Sequence, residues 1–265
     1  MQTITAIERA LEIGISRCGA RTPILGIAGA QGSGKSWLAR AAADSMPGSI
    51  HLSLDDFYLS GPVRRALAES MHPLFATRGV PGTHDLGQLH ATLEALLTAG
   101  PDSETPLPSF DKLNDEPQPQ QTWRRHKGRP SVIIFEGWCL GALPQDEHDL
   151  ATPVNALERT EDPEGVWRSA ANARLKSDYA ALFARLDSIL FLQAPSFDIV
   201  HAWRCQQEAT ALERPLNEAE RQRIARFIGF FERITRSMLA GARRSDLSLE
   251  LDANRRALSL REDPS

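Results

Sequence analysis

The sequence predicts a doubly wound α/β fold, a mostly parallel sheet with helices on both faces. Three observations predict it. Short apolar runs of strand length alternate with segments of helical periodicity, the pattern that builds a parallel sheet through helical crossovers. The first of those runs enters a glycine-rich turn that opens directly into a helix-forming stretch. The chain has 265 residues, 42% hydrophobic and 24% charged, which suits one α/β domain carrying insertions. A single domain over 1–265 is therefore expected, and a disordered chain, coiled coil or collagen-like rod is not.

An amphipathic helix is expected at about 3–17, then a strand at 23–28 (PILGIA), the glycine turn and a helix at 35–46. The next strand, 49–54 (SIHLSL), runs into Asp55-Asp56-Phe57-Tyr58. Leu86, Leu89, Leu93, Leu96 and Leu97 recur at helical spacing and predict a helix over 85–99. Residues 101–130 break the pattern, with Pro101, Pro106, Pro108, Pro117, Pro119 and Pro130 in one stretch. No regular element is expected there, and the stretch reads either as a passive surface loop or as a substrate-covering insertion. Ser131–Phe135 (SVIIF) reads as a buried strand ending in Glu136-Gly137-Trp138. A helix at 164–185 leads to a strand at 187–192 (DSILFL). Over 217–240, Asn217 and Glu220 are placed as a capping pair ahead of an apolar stripe from Ile224 to Met238. Leu247–Leu251 is the last expected strand, and no internal repeat is present.

Composition also bounds the surroundings. Cys18, Cys139 and Cys205 are far apart and form no CxxC pair, so neither a disulfide framework nor a zinc site is expected. The N-terminal segment carries Glu8 and Glu12 where a signal peptide needs an unbroken apolar run. No apolar run reaches membrane-spanning length. A cytoplasmic protein with no membrane partner is expected. The formal charge of −4 disfavours a nucleic-acid partner, which would call for a basic excess. Only four of the 30 basic side chains are lysines, Lys35, Lys112, Lys127 and Lys176, so the position of each lysine carries information.

One of the four sits in the glycine turn. Gly29-Ala30-Gln31-Gly32-Ser33-Gly34-Lys35-Ser36 matches G-x-x-x-x-G-K-[ST] between a strand and a helix. Glycines let backbone N–H groups converge on phosphate oxygens, and the helix N-terminus adds a favourable dipole. Lys35 supplies a point charge for the β- and γ-phosphates, and the Ser36 hydroxyl is a ligand for Mg²⁺. The fold class is thereby narrowed to the P-loop NTPase type. No N-K-x-D guanine-reading motif and no L-S-G-G-Q transporter signature accompanies it. Instead, Asp55 and Asp56 follow the second strand, where strand ends face the ligand crevice. A carboxylate there either accepts a proton from an acceptor hydroxyl or caps the following turn. Glu136, after the buried strand, is placed to hold the metal or its water.

The strand–GAQGSGKS–helix, the SLDDFY turn and the VIIFEGW strand together resemble the phosphoribulokinase, uridine kinase and pantothenate kinase group of P-loop kinases. Arg78-Gly79-Val80-Pro81-Gly82-Thr83-His84-Asp85-Leu86 resembles the R-G-x-x-G-T-H-D-L segment of D-glycerate 3-kinases, the plant-type glycerate kinases. So do Pro108–Lys112, Glu136–Gly141 and Trp203-Arg204 with Gln206-Gln207-Glu208, a resemblance spanning about 23–210. It implies ATP and Mg²⁺ at Gly29–Ser36, Asp55 as the base with Asp56 as the alternative, and Glu136 on the metal side. It implies D-glycerate as acceptor and 3-phosphoglycerate as product. The loop after Lys112 departs from the plant pattern, which leaves pantothenate, a nucleoside or a sugar phosphate as other acceptors. A nucleotide-binding regulator without turnover is the reading outside the kinases.

A small anionic acceptor such as glycerate needs fixed positive charge. Arg78, in a glycine-flanked loop, has the planar fork that matches a carboxylate. His84 and Asp85 follow as substrate residues, with helix capping an equal alternative for Asp85. Lys112 is placed to reach the acceptor or the γ-phosphate. Arg204 is the arginine selected to stabilise the transferring group, on an arginine-rich helical region at 201–244 that, with 101–130, supplies candidate lid elements.

Overall fold

The computed structural model describes residues 2–264, and its centre is a six-stranded sheet. In chain order, α1 (Gln2–Cys18) leads to β1 (Ile24–Gly29), α2 (Lys35–Ser45) and β2 (Ile50–Ser53). A 3₁₀ turn at Leu54–Phe57 precedes α3 (Gly61–Ser70) and α4 (Leu86–Thr98). Four short strands follow: β3 (Glu104–Leu107), β4 (Phe110–Asp111), β5 (Glu116–Pro117) and β6 (Arg124–Lys127). The chain returns to the sheet as β7 (Ile133–Gly137). After α5 (Glu147–Ala151) and α6 (Ala156–Glu161), α7 (Val166–Arg174) passes through a π turn at Leu175–Tyr179 into α8 (Ala180–Phe183). The remainder is β8 (Ser188–Gln193), α9 (Asp198–Ala211), α10 (Glu218–Leu239), β9 (Leu247–Leu251) and β10 (Ala257–Glu262).

The sheet order is β10-β9-β8-β1-β7-β2. Every pairing from β9 to β2 is parallel, and β10 closes the edge antiparallel. The strands read as continuous apolar runs because both faces are covered. Ile24, Ala28, Ile133, Phe135, Ile189 and Phe191 enter a core shared with α4, α7, α8 and α10. The alternate residues Leu25, Ile27, Ile134, Leu190 and Leu192 enter a second core under α1 and α2. This is the doubly wound arrangement that the alternating sequence predicts. Parallel pairing brings the C-terminal ends of β1, β2 and β7 to one edge, where ligands bind in such sheets.

Residues 101–130 correct the sequence reading. They hold two small antiparallel ribbons, β3 with β6 and β4 with β5. A two-stranded ribbon tolerates Pro106 and Pro117 because each strand has an outward edge that needs no N–H donor. The helix expected at 164–185 is interrupted by its π turn. The antiparallel edge strand β10 and the helices α3, α5 and α6 lie outside the sequence expectations. Asn217 and Glu220 form the anticipated capping box at the start of α10. No described helix is long and apolar enough to cross a membrane.

Candidate active site

The turn between β1 and α2 builds a phosphate cradle. Gly34 stands at φ 94° as the residue before α2, and Gly32 is at φ 76°. Both lie in the left-handed region open chiefly to glycine. A Cβ on Gly32 would come within 2.8 Å of Trp203 Cβ, so α9 is packed directly against the loop. Lys35 Nζ donates to Ala30 O at 3.4 Å within the loop. The side-chain amide of Gln31 and the Ser33 hydroxyl are buried here without a protein partner. Buried polar groups need partners, and phosphate oxygens are the acceptors that an N-terminal helix turn supplies with company.

Glu136 is buried at the end of β7, 4% exposed. Register places it opposite Ser53 on β2 and Ile27 on β1, so the three occupy one row across the sheet. Its Oε1 accepts from Ser36 Oγ at 2.9 Å and from Ser53 Oγ at 2.6 Å. His51 is the nearby titratable partner, 4.0 Å away, and burial pushes that imidazole down, toward its neutral form. The carboxylate is thus satisfied by two hydroxyls and no cationic side chain in contact. Ser36 and Glu136 present the hard oxygen donors that a divalent cation such as magnesium prefers.

The two aspartates after β2 have different surroundings. Asp55 Oδ1 accepts from Tyr58 Oη at 2.5 Å, and its Oδ2 pairs with Lys112 Nζ at 2.6 Å. Burial works against its charge, but Lys112, the Tyr58 hydroxyl and Lys35 outweigh it and hold the carboxyl at about 2. Asp55 shares a cavity of about 200 Å³ with Lys35, Ser36 and Lys112. Asp56 lines a separate cavity beside Arg40, His51 and Arg124. Its burial, with repulsion from Asp55, exceeds the pull of Lys112 and leaves it at about 6. Of the two, Asp55 faces the phosphate loop.

Arg78 and Arg204 line the same cavity, as do Tyr58, Trp138 and Phe231. Arg78 is held by an ion pair with Asp115 and by the Lys112 carbonyl at 3.2 Å. Its guanidinium lies 5.6 Å from the Phe110 ring centroid and 6.0 Å from that of Tyr58. Arg204 bonds Gln207 Oε1 at 2.7 Å from the α9 side.

Of the five residues selected from the sequence for the acceptor, Asp55, Arg78 and Lys112 line the cavity, and His84 and Asp85 do not. His84 is buried beneath Tyr58, with ring centroids 4.8 Å apart and Nδ1 2.5 Å from Tyr179 Oη. Burial lowers its imidazole to about 4, so it is a neutral prop for Tyr58, not a group in the cavity wall. Asp85 accepts from Gln88 N at 2.8 Å and caps α4; of its two readings, the cap is the one the structure contains. Sequence reasoning passed over Ser53, whose hydroxyl links Glu136 to the Asp55 backbone N–H at 3.3 Å, and Asp115, the counter-ion of Arg78. Serine at a strand end gives no distinctive signal. Asp115, at φ 59°, carried only the weak one of an Asn-Asp pair in a turn.

No protein-family model matches the sequence. It is 33% identical over 221 residues to the kinase mug58 of Schizosaccharomyces pombe, itself described as uncharacterized, with 78% of each chain covered. It is 29% identical over 198 residues to the chloroplastic D-glycerate 3-kinase of Arabidopsis thaliana, covering 70% of this chain and 41% of that one. Among solved structures, a D-glycerate 3-kinase of Cryptococcus neoformans shares the fold, with TM-score 0.78, 21% identity and 99% of each chain covered. A shared fold with the phosphate loop and the facing carboxylate in place, and a relative at this identity over most of its length, settle the family. The chain belongs to the D-glycerate 3-kinase family of P-loop kinases, and is an ATP-dependent phosphotransferase with a hydroxyl group as acceptor.

Proposed function

We propose that the acceptor is D-glycerate, that the product is 3-phosphoglycerate, and that Mg²⁺ accompanies the nucleotide. One observation carries the reading: Lys35, Ser36, Asp55, Arg78, Lys112 and Arg204 line a single cavity of about 200 Å³. That space is small beside the several hundred Å³ common for larger ligands. Its wall holds four cationic side chains and one carboxylate, which suits a small anion carrying a hydroxyl. The names of the plant and fungal relatives support the same acceptor.

In this reading the ATP phosphates lie along Gly29–Ser36, with Lys35 at the β- and γ-phosphates. Ser36 and Glu136 would hold Mg²⁺, whose charge would offset that of the phosphate oxygens. Asp55 orients the acceptor hydroxyl and takes its proton. A carboxyl held near 2 is a weak base, which is adequate because the transferring phosphoryl group demands little of the nucleophile. Lys112 turns from Asp55 to the γ-phosphate as substrate enters, and its departure strengthens the base. Arg78 exchanges its Asp115 partner for the glycerate carboxylate, to which its fork is matched. Arg204 meets the charge that develops at the γ-phosphate. Positioning and preorganised charge supply most of the rate.

The test is ADP release from ATP with D-glycerate, pantothenate, uridine and ribulose 5-phosphate supplied in turn. Acceleration by D-glycerate alone is expected. Acceleration by another acceptor in its place overturns the substrate, and none by any of the four returns the chain to a nucleotide-binding regulator.

A further inference from the structure

Arg78 stands on the wall between two spaces. On one side is the acceptor cavity; on the other is a cleft of about 620 Å³ lined by Arg64, Asp115 and Arg204 among others. Its counter-ion Asp115 lines the cleft and not the acceptor cavity. To meet an acceptor carboxylate, Arg78 must therefore let Asp115 go. Two obstacles oppose this. A carboxylate gripped by both arms of one guanidinium is hard to displace, since paired parallel N–H bonds are the strongest form of the contact. A carboxylate left without its cation would also repel a second anion arriving close by.

Arg64 removes both obstacles. It lies in α3 and is 1% exposed, a rare place for an arginine unless its donors are met. Three separate segments meet them. Nε donates to Leu59 O at 3.0 Å and Nη1 to Ala76 O at 2.8 Å. Nη2 donates to Asp115 O at 3.0 Å and pairs with Asp115 Oδ2 at 2.7 Å. The Asp115 carboxylate is thus divided, Oδ2 on Arg64 and Oδ1 on Arg78, and Arg78 holds it by one arm. The other arm rests on the Lys112 carbonyl at 3.2 Å. Arg64 is fixed by the carbonyls of Leu59 and Ala76 and does not follow Arg78. Asp115 therefore keeps a cation, and its backbone keeps its place, when Arg78 leaves.

We infer that Arg64 is a positioning residue for the acceptor: by holding half of the Asp115 carboxylate it keeps Arg78 free to turn to the acceptor carboxylate. This rests on the role proposed above for Arg78, and the experiment separates the two. KM for D-glycerate and for ATP is measured in the wild type, Arg64→Gln, Arg64→Lys, Asp115→Asn, the Arg64→Gln/Asp115→Asn double variant and Arg78→Met, with thermal unfolding followed alongside. In Arg64→Gln the whole Asp115 carboxylate falls to Arg78. KM for D-glycerate should then rise about tenfold or more, while KM for ATP stays within about threefold. Asp115→Asn removes the competitor and should lower KM for D-glycerate about two- to fivefold. The Asp115 side chain is half-exposed, so this variant folds whatever becomes of Arg64. Added to Arg64→Gln, it should bring KM back to the wild-type value or below. Neither Gln nor Lys reaches Leu59 O, Ala76 O and Asp115 together, so both variants should melt lower; Lys keeps the charge, and only Gln should raise KM. A purely structural arginine would make KM follow the melting temperature and leave the double variant unrescued, and either result overturns the inference. So does an unchanged KM in Arg64→Gln, or an unchanged or raised one in Asp115→Asn, while Arg78→Met still raises KM for D-glycerate about tenfold or more. An unchanged KM in Arg78→Met overturns the role of Arg78 itself, and no turnover of D-glycerate by the wild type overturns the acceptor; this inference falls with either.

Discussion

Replacing Asp56 by Asn tests whether the two adjacent carboxylates have been driven apart by their surroundings. Burial dominates at Asp56; Asp55 and Glu136 add repulsion, and neither Lys112 nor the hydrogen bond from the Phe110 backbone offsets them. The carboxyl therefore stands at about 6 in the folded protein against an ordinary value of 3.8. Because the folded value is the higher one, folding favours the neutral acid. The associated stability is fully present below the ordinary value and is lost as pH rises through the folded one. At about 1.4 kcal/mol per pH unit, that interval amounts to about 3 kcal/mol. Asn keeps an oxygen for the Phe110 N–H and does not titrate. Asp56→Asn should therefore match the wild type near pH 3.5 and exceed it by about 3 kcal/mol near pH 7. Urea unfolding across that range measures the difference, with phosphoryl transfer assayed alongside and expected to remain within about threefold, because Asp56 lies outside the Lys35 cavity. Parallel stability curves, or a variant that no longer transfers phosphate, would refute the reasoning.

Three further outcomes follow from the same geometry. Asp55→Asn should retain ADP affinity by calorimetry while kcat falls about a hundredfold or more, since the acceptor loses its proton acceptor and guide. Lys112→Met removes the charge and hydrogen bond that hold the Asp55 carboxyl near 2. The unopposed effect of burial then raises it, so the acid limb of kcat/KM moves to higher pH while the maximum rate falls. Gly32→Ala places a methyl group 2.8 Å from Trp203 Cβ at φ 76°. ATP affinity should fall at least tenfold, and an unaltered affinity would show that α9 does not brace the loop.

Much of this site was legible in the sequence because its residues report themselves through local rules. A glycine turn between strand and helix announces phosphate binding through φ alone, and Asp55 and Glu136 stand where parallel strands end. The continuous apolar runs of β1, β7 and β8 announced a sheet covered on both faces. What stayed hidden depends on contacts between distant segments. The proline count over 101–130 misled because proline forbids only the interior of a sheet, and β3–β6 is a ribbon with nothing but edges. His84 and Asp85 were drawn into the site by their motif, whereas one supports Tyr58 from below and the other caps α4. Arg78 was recognisable as a cation, but its partner Asp115 lies 37 positions away in another loop.

The central claim is that this cavity moves the γ-phosphate of ATP to the 3-hydroxyl of D-glycerate with Asp55 facing the acceptor. Phosphorus NMR of the products from ATP, Mg²⁺ and D-glycerate tests it most directly. The account predicts a phosphomonoester signal coupled to the C3 methylene protons, formed by the wild type and by Asp56→Asn and nearly abolished by Asp55→Asn. No phosphoglycerate, a phosphate on the C2 oxygen, or full turnover by Asp55→Asn would contradict it.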